Sequence, residues 1–149
     1  MASDLFNTFK RDVMKGSVAL DGGAIWCMLL ANTYTTVDAT GDTGFDFRND
    51  ITSYEVSTTG YTAGGVTLGT AGVQTISADS TNDWSYWDTT VNPQWDTITV
   101  TARYAVVYRS TGSAATDNLI AIYDFGSDQT ATNGTFIVQW SSDGLIRLS

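Results

Sequence analysis

The amino-acid sequence predicts a mainly β fold, either an antiparallel β-sandwich or a small barrel of about seven to eight strands, with one N-terminal α-helix. Thr, Gly, Ser and Asp dominate the polar residues, and strands and turns favour these types, whereas Glu and Lys are scarce. Residues 97–112 alternate apolar and polar side chains over much of their length, as a half-buried strand does. Glycines recur between such segments, where turns are expected. The 149 residues are expected to form one β-rich domain, 1–149.

A single helix is predicted at residues 3–15, ahead of a sandwich that spans 24–149. Ser3 or Asp4 is suited to cap it, and Gly16 is suited to end it. Apolar residues recur at helical spacing and form a stripe that has to pack against another surface. That surface is either the chain's own sheet or a neighbouring subunit. The stripe is therefore a candidate interface and consists of Leu5, Phe6, Phe9 and Val13.

The strands are indicated by apolar or alternating segments that turn residues separate. Residues 24–32 are almost continuously apolar, which is typical of a strand buried on both faces. Residues 33–50 are mostly polar and are expected to form a loop. The last two strands are expected to pair as a hairpin through a turn at 142–144. The predicted strands are 24–32, 52–58, 66–77, a short one near 84–87, 97–112, 118–126, 134–141 and 145–149.

The alternation within residues 97–112 breaks near the centre of the segment. Residues 97–103 place threonines and an arginine on one face, as a strand with one solvent-facing side does. Ala105 and Val107 then bring apolar side chains to that same face, which therefore needs a cover. The cover is expected to be either the N-terminal helix or a partner subunit. Ala105 and Val107 are accordingly candidate interface residues.

Three tryptophans lie in one stretch that also carries several aspartates, namely Trp84, Trp87 and Trp95. Tryptophan side chains pack in cores, anchor protein interfaces, and stack on sugars when they are exposed. The sequence leaves these roles open. The three tryptophans are therefore candidates for an interface or for glycan stacking.

The reactive side chains exclude several kinds of site. The chain has no histidine and one cysteine, Cys27, so it lacks the residues for a histidine-based triad or a thiolate metal cluster. Cys27 lies in an apolar run and is expected to be a buried thiol. The aspartates from Asp38 to Asp50 recur at every fourth position, unlike the alternating ligands and closing Glu of a calcium loop. We therefore expect no metal, no cofactor, no catalytic residues and no enzymatic activity.

The balance of basic and acidic residues disfavours two classes of binding partner, nucleic acids and anionic membranes. Seven basic residues stand against sixteen acidic ones, which gives a net charge of −9. Binding to nucleic acid or to an anionic membrane requires clustered Lys and Arg, so neither partner is expected. The longest apolar run, 24–31, is too short for a membrane span, which takes about 20 residues.

Several sequence blocks are specific in combination, notably "GYTAGG" (60–65), "ARYAVVY" (102–108) and "DFGSDQ" (124–129). Together with the opening "DLFNTFKRDVMKG" and the closing "DGLIRL", they resemble a group of small structural proteins encoded by tailed bacteriophages, over most of the chain. The resemblance implies a virion-associated protein and implies no catalytic residues. The acidic stretch Asp38–Asp46 is longer than in the pattern of that group.

These observations predict a non-enzymatic virion structural protein. Surplus apolar surface on a small acidic β domain suits a symmetric assembly. The favoured role is a capsid decoration or cement protein that is made in the host cytoplasm and resides on the capsid surface. Its expected partners are the major capsid protein and copies of itself, in a dimer or trimer. The alternatives are a tail or tail-fibre component and a host-glycan-binding β-sandwich module.

Overall fold

The computed structural model describes residues 2–21, 23–35, 45–69, 74–142 and 144–148. These residues form one α-helix, two short 3-10 turns and eight β-strands. The helix is α1 (Asn7–Met14), and the 3-10 turns are Arg48–Asp50 and Thr52–Tyr54. The strands are β1 (Ala2–Leu5), β2 (Ala24–Leu30), β3 (Val66–Gly69), β4 (Gln74–Asp79), β5 (Trp84–Thr89), β6 (Gln94–Ser110), β7 (Asn118–Ile137) and β8 (Ile146–Leu148).

The strands form two antiparallel sheets whose side chains share one hydrophobic core. The larger sheet has the order β1-β7-β6-β2-β3, and the smaller sheet has the order β4-β5-β8. The two longest strands, β6 and β7, pair with each other along most of their length. The predicted mainly β, antiparallel fold is confirmed, and the described strands form two open sheets, as in a sandwich, rather than a closed barrel.

The N-terminal segment differs from the prediction. The helix predicted at 3–15 begins only at Asn7, because Ala2–Leu5 pairs with β7 as an edge strand. The backbone N–H of Phe6 continues this pairing by donating to the carbonyl oxygen of Ile120 at 3.1 Å. The helix then starts without a side-chain cap, so neither predicted capping residue has that role. Pairing with a distant strand outweighs the local helical pattern over the first few residues.

The strand assignments differ from the prediction at four further places. Segment 66–77 is predicted as one strand, but its two ends belong to β3 in the larger sheet and β4 in the smaller sheet. The sequence predicts two strands at 118–126 and 134–141, but most of both segments belongs to the single strand β7. Gly126 has a φ of +84° near a register shift between β6 and β7. This glycine, which the sequence indicates as a turn between two strands, therefore lies at a β-bulge. Strand β8 pairs with β5 instead of with the strand before it, so the predicted C-terminal hairpin is wrong. Segment 52–58 begins with a 3-10 turn and makes a single bridge to β2, so the strand predicted there is also wrong.

The smaller sheet and α1 cover one face of the central strands. Val107 lies opposite Ala121 in register, and Ala121 lies opposite Leu5, so the three side chains share this face. Tyr123 is on the same face, and its hydroxyl donates to the carbonyl oxygen of Leu145, next to β8, at 2.7 Å. The cover that the sequence required over the second half of β6 therefore comes from the chain itself.

Residues 45–65, together with Tyr34, cover the opposite face. The rings of Tyr34 and Tyr104 meet edge to face with their centroids 5.3 Å apart. The hydroxyl of Tyr108 donates to the carbonyl oxygen of Gly64 at 2.8 Å. Residues 45–50, at the end of the expected polar loop, and the segment after them thus form a layer over the sheet, which explains why β6 is buried on both faces near its centre.

Candidate functional site

Four of the six interface candidates on the helix and on β6 are core residues of the chain. Phe6 is 1% exposed, Phe9 is 4% exposed, and Ala105 and Val107 are 0% exposed. The chain's own elements cover these side chains, so they present no surface to a partner and their assignment to an interface is wrong. Apolar patterning reports that a side chain is buried, but it does not report which chain buries it.

The other two candidates, Leu5 and Val13, are partly buried, and with the buried Phe9 they line an apolar groove between α1 and the smaller sheet. Phe9 and Val13 lie four residues apart on one side of α1, and Leu5 ends β1 just before the helix. The apolar groove has a volume of about 280 Å³. Its opposite wall consists of Ile76, Trp87, Ile146 and Leu148.

Three large apolar side chains are exposed around the apolar groove. Met14 is 82% exposed, and Ile76 and Leu148 are each 57% exposed. Ile76 is paired with Trp87, which is buried, so the inner face of the smaller sheet is covered at its centre and uncovered at its edges. Grouped apolar exposure of this kind marks interaction sites. Sequence reasoning did not select Ile76 and Leu148, because each is an isolated apolar residue between polar neighbours and carries no signal of where it lies in the fold.

One cation that lines the apolar groove is Lys10. Its Nζ lies 3.6 Å from Asp4 Oδ1 and 3.3 Å from Asn7 Oδ1. Arg147 pairs in register with Tyr86, so its side chain lies on the other face of the smaller sheet, where its guanidinium is 4.0 Å from the centre of the Trp84 ring.

The tryptophans do not form a surface for sugar stacking. Trp87 is 2% exposed and Trp95 is 4% exposed, so both belong to the core and their assignment to glycan stacking is wrong. The ring of Trp95 lies against Tyr61 with 6.2 Å between centroids. Trp84 is partly exposed, but the Arg147 guanidinium covers one face of its ring.

A buried ion pair fastens the covering segment 45–65 to the larger sheet. The Nε atom of Arg48 donates to Asp117 Oδ2 at 2.8 Å, and the Asp117 side chain is 1% exposed. Thr111 donates to the other carboxylate oxygen from its backbone N–H at 2.6 Å and from its hydroxyl at 3.1 Å. The Arg48 guanidinium also lies 5.3 Å from the ring centre of Tyr108. These contacts make the pair a structural clamp between distant segments.

A second polar cluster holds the end of the same segment. Glu55 Oε1 accepts from the hydroxyl of Tyr61 at 2.8 Å and from the backbone N–H of Gly64 at 2.6 Å. The Tyr61 hydroxyl accepts in turn from the backbone N–H of Leu29 at 3.1 Å. Burial, followed by the charge of Glu55, raises the pKa of Tyr61, so the phenol stays protonated and acts as a donor. The cluster orients backbone groups and ties residues 55–64 to β2.

Cys27 is fully buried, as the sequence predicts. Burial raises the pKa of its thiol, because the thiolate would lie in an apolar environment. The thiol therefore stays protonated, which is the unreactive form.

Part of the acidic stretch from Asp38 to Asp50 lies outside the described residues, at 36–44. In the described part, Asp50 Oδ2 accepts from the backbone N–H groups of Asp46 at 3.0 Å and of Phe47 at 2.9 Å. This carboxylate therefore stabilises a local turn. Within the described ranges, no three His, Cys, Asp or Glu residues are grouped so that they could hold a metal ion.

Comparison of the chain with protein-family models, curated proteins and solved structures finds no match in any of the three. None of the helices in the described part of the chain combines the length and apolar character that a membrane crossing requires. The candidate functional site is therefore defined by geometry alone, and it is the apolar groove with its exposed rim.

Proposed function

We propose that the chain is a non-enzymatic structural protein of a bacteriophage virion, where it serves as a capsid decoration or cement protein. The observation that carries the proposal is the apolar groove, around which Met14, Ile76 and Leu148 are exposed together. Exposed, grouped apolar side chains on a small domain favour docking to another macromolecule. The virion setting is supported by the resemblance carried by "GYTAGG", "ARYAVVY" and "DFGSDQ".

A cement protein acts mechanically, by holding neighbouring capsid subunits together against the pressure of packaged DNA. A stable protein interface buries about 1,600 Å² in total, so the apolar groove would be the anchor at the centre of a larger contact. Its partners would be the major capsid protein and, in a dimer or trimer, further copies of the chain. Repetition over the capsid lattice adds avidity to each contact. The net charge of −9 disfavours binding to the packaged DNA.

The same groove would serve a tail or tail-fibre component equally well, and copy number separates the two roles. The glycan-binding alternative has lost its support, because Trp87 and Trp95 are buried and cannot stack on a sugar.

Quantitative mass spectrometry of purified virions tests the proposal by counting copies of the chain per particle. A cement protein is present in hundreds of copies and on heads without tails, because it follows the capsid lattice. A handful of copies, absent from tailless heads, would indicate a tail component and overturn the cement role. Absence from purified virions would overturn the structural role altogether.

Substitutions in the apolar groove test whether this groove makes the contact with the capsid. Leu148→Ser is expected to fold normally, because Leu148 is 57% exposed, and to occupy fewer capsid sites. Ile137→Ser is the matched control, since Ile137 is 46% exposed on β7 and does not line the groove. Equal occupancy by wild type and Leu148→Ser would show that another surface makes the contact.

A further inference from the structure

We propose that two copies of the chain pair edge to edge through β4, antiparallel and around a two-fold axis at Ile76, so that their two three-stranded sheets join into one. This inference rests on the proposed assembly role and names the surface through which copies of the chain meet. Its supports are the open edge of β4, the contrast with the other strand edges, and the self-complementary sequence of the strand.

Strand β4 lies at one end of the smaller sheet and has a regular, open edge. It pairs with β5 over six consecutive residues, from Gln74 opposite Thr89 to Asp79 opposite Trp84, without a register shift. In the described part of the chain, the backbone N–H and C=O groups of β4 bond to no element other than β5. Such an edge presents a row of unpaired backbone donors and acceptors, and the occupant that satisfies them is another β-strand.

The other strand edges in the described ranges carry features that hinder such pairing. Strands β1 and β8 have only four and three residues, and each includes a charged side chain, Asp4 and Arg147 respectively. Strand β3 and the part of β7 beyond β1 are interrupted by register shifts against their neighbours. Short length, charge and bulges are the usual means of keeping an edge from pairing. Strand β4 has six residues and no bulge, Lys, Arg, Glu or Pro, and its one charged side chain, Asp79, is at its end.

The sequence of β4 matches itself around a two-fold axis. An axis at Ile76, perpendicular to the sheet, sets Ile76 opposite Ile76 of the second copy, Thr75 opposite Ser77, and Gln74 opposite Ala78. Directly opposed residues lie on the same face of a sheet, so two apolar side chains meet at the axis and two hydroxyl side chains meet beside it. The two backbones would form about four to six hydrogen bonds.

Exposure and charge also favour a second copy as the occupant. Ile76 is 57% exposed in the single chain, and it would be covered by its counterpart at the axis. The two Asp79 residues would lie six strand positions apart, which is about 20 Å and well beyond the Debye length of about 8 Å. The paired edges therefore bring no like charges together.

The proposed pairing also sets the position of the two apolar grooves. Ile76 and Trp87 lie opposite each other in register, and both line the groove, so the groove is on one face of the smaller sheet. A two-fold axis perpendicular to the sheet keeps this face on the same side in both copies. A dimer that presents two grooves on one side suits a protein that bridges neighbouring capsid subunits.

Cysteine cross-linking of the full chain tests the pairing and its register. Ile76→Cys places two thiols opposite each other at the axis, where Cα atoms about 4.5–5.5 Å apart suit a disulfide. The native Cys27 is fully buried and does not compete. Under mild oxidation, Ile76→Cys should form covalent dimers about tenfold or more faster than Ile137→Cys, because pairing raises the effective concentration of the thiols. Ile137 is the matched control, since it is 46% exposed on β7.

A charge exchange at the axis separates this contact from any other. Ile76→Lys and Ile76→Asp should each abolish the dimer that wild type forms in sedimentation equilibrium, because like charges would then face each other. An equimolar mixture of the two variants should dimerise again, since opposite charges then meet. Ile137→Lys and Ile137→Asp should each dimerise as wild type does. Circular dichroism of each variant establishes that it is folded before it is compared.

Three outcomes overturn the inference. The first is a wild type that stays monomeric while Ile76→Cys cross-links no faster than Ile137→Cys, which would leave the edge to a strand of another protein. The second is self-association that Ile76→Lys and Ile76→Asp do not change, and the third is a mixture of these two variants that stays monomeric. The count of copies per virion is independent of these results, so a cement protein that does not pair through β4 is distinguishable from a chain that pairs but is absent from virions.

Discussion

Replacing Arg48 by Met removes the cation that faces a fully buried carboxylate. The Arg48 Nε–Asp117 Oδ2 distance is 2.8 Å, and the two side chains are 19% and 1% exposed. Breaking a buried pair by removing one partner costs about 3–5 kcal/mol, because it leaves an uncompensated charge inside the protein. Thr111 still donates to Asp117 at 2.6 Å, which satisfies part of that charge. We therefore expect Arg48→Met to lower the free energy of unfolding by about 3 kcal/mol.

A second substitution separates the cost of the unpaired Asp117 charge from the cost of losing the contacts of the Arg48 side chain. Arg48→Met/Asp117→Asn removes the buried charge and keeps an oxygen for the Thr111 donors. The double variant should be about 1–2 kcal/mol more stable than Arg48→Met alone, although it has one more substitution. Urea denaturation followed by tryptophan fluorescence measures both free energies.

Hydrogen exchange shows which segment of the chain Arg48→Met destabilises. The N–H of Arg48 donates to the carbonyl oxygen of Asp117 at 2.9 Å, and the N–H of Asn49 donates to that of Ala114 at 3.0 Å. These amides should lose protection before those of the central strands do, because the clamp holds the covering segment against the sheet.

The matched control is Arg103→Met. Arg103 also pairs with an aspartate, Asp124, at 2.6 Å, but both side chains are partly exposed and screened by solvent, so the expected cost is much smaller than that of Arg48→Met. If Arg48→Met cost no more than this control, the clamp would be no stronger than a surface ion pair and the reasoning would be refuted.

Three further predictions test the core, a close backbone approach and the pH dependence of stability. Val107→Asp should leave the chain unfolded by circular dichroism, because it loses about 2 kcal/mol of apolar burial and places a carboxylate in the core at a cost of several more. Gly65→Ala should lower the free energy of unfolding by about 3–4 kcal/mol, because Gly65 has a φ of +81° and a Cβ there would collide with the Cys27 carbonyl group. The hydrogen bond from Arg103 holds the pKa of Asp124 below its ordinary value. The ionised Asp124 therefore contributes to the free energy of unfolding above about pH 4, and this contribution is lost as the pH falls further. Asp124→Asn should therefore show a smaller loss of stability on acidification in urea titrations.

Each of these predictions has a control in the same chain. Thr101→Asp places the same carboxylate on an exposed position of β6 and should leave the fold intact, and a folded Val107→Asp monomer would instead mean that a partner covers this residue. Gly112→Ala has a comparable φ of +92° but meets nothing within 4 Å, so it should cost only about 1–2 kcal/mol. Asp21→Asn removes an exposed carboxylate and should keep the acid response of wild type, whereas a response equal to that of Asp124→Asn would contradict the role of Arg103.

By itself the sequence determined the β class, the burial of residues 24–30 and 104–108, and the burial of Cys27. These features follow from composition and from the period of apolar side chains, which are local properties of the chain. The sequence also selected Leu5, Phe9 and Val13 as a stripe that needs a neighbour, and these residues line the apolar groove.

Only the tertiary structure decided the features that depend on contacts between distant residues. It turned Ala2–Leu5 into an edge strand, paired β8 with β5, and covered Val107 from within the chain. It also brought Met14, Ile76 and Leu148 together, although they come from three different elements. Ile76 and Leu148 stand alone between polar residues, so neither is distinguished in its own sequence neighbourhood. The groove exists because a five-stranded and a three-stranded sheet share one core and the short helix covers only part of the smaller sheet.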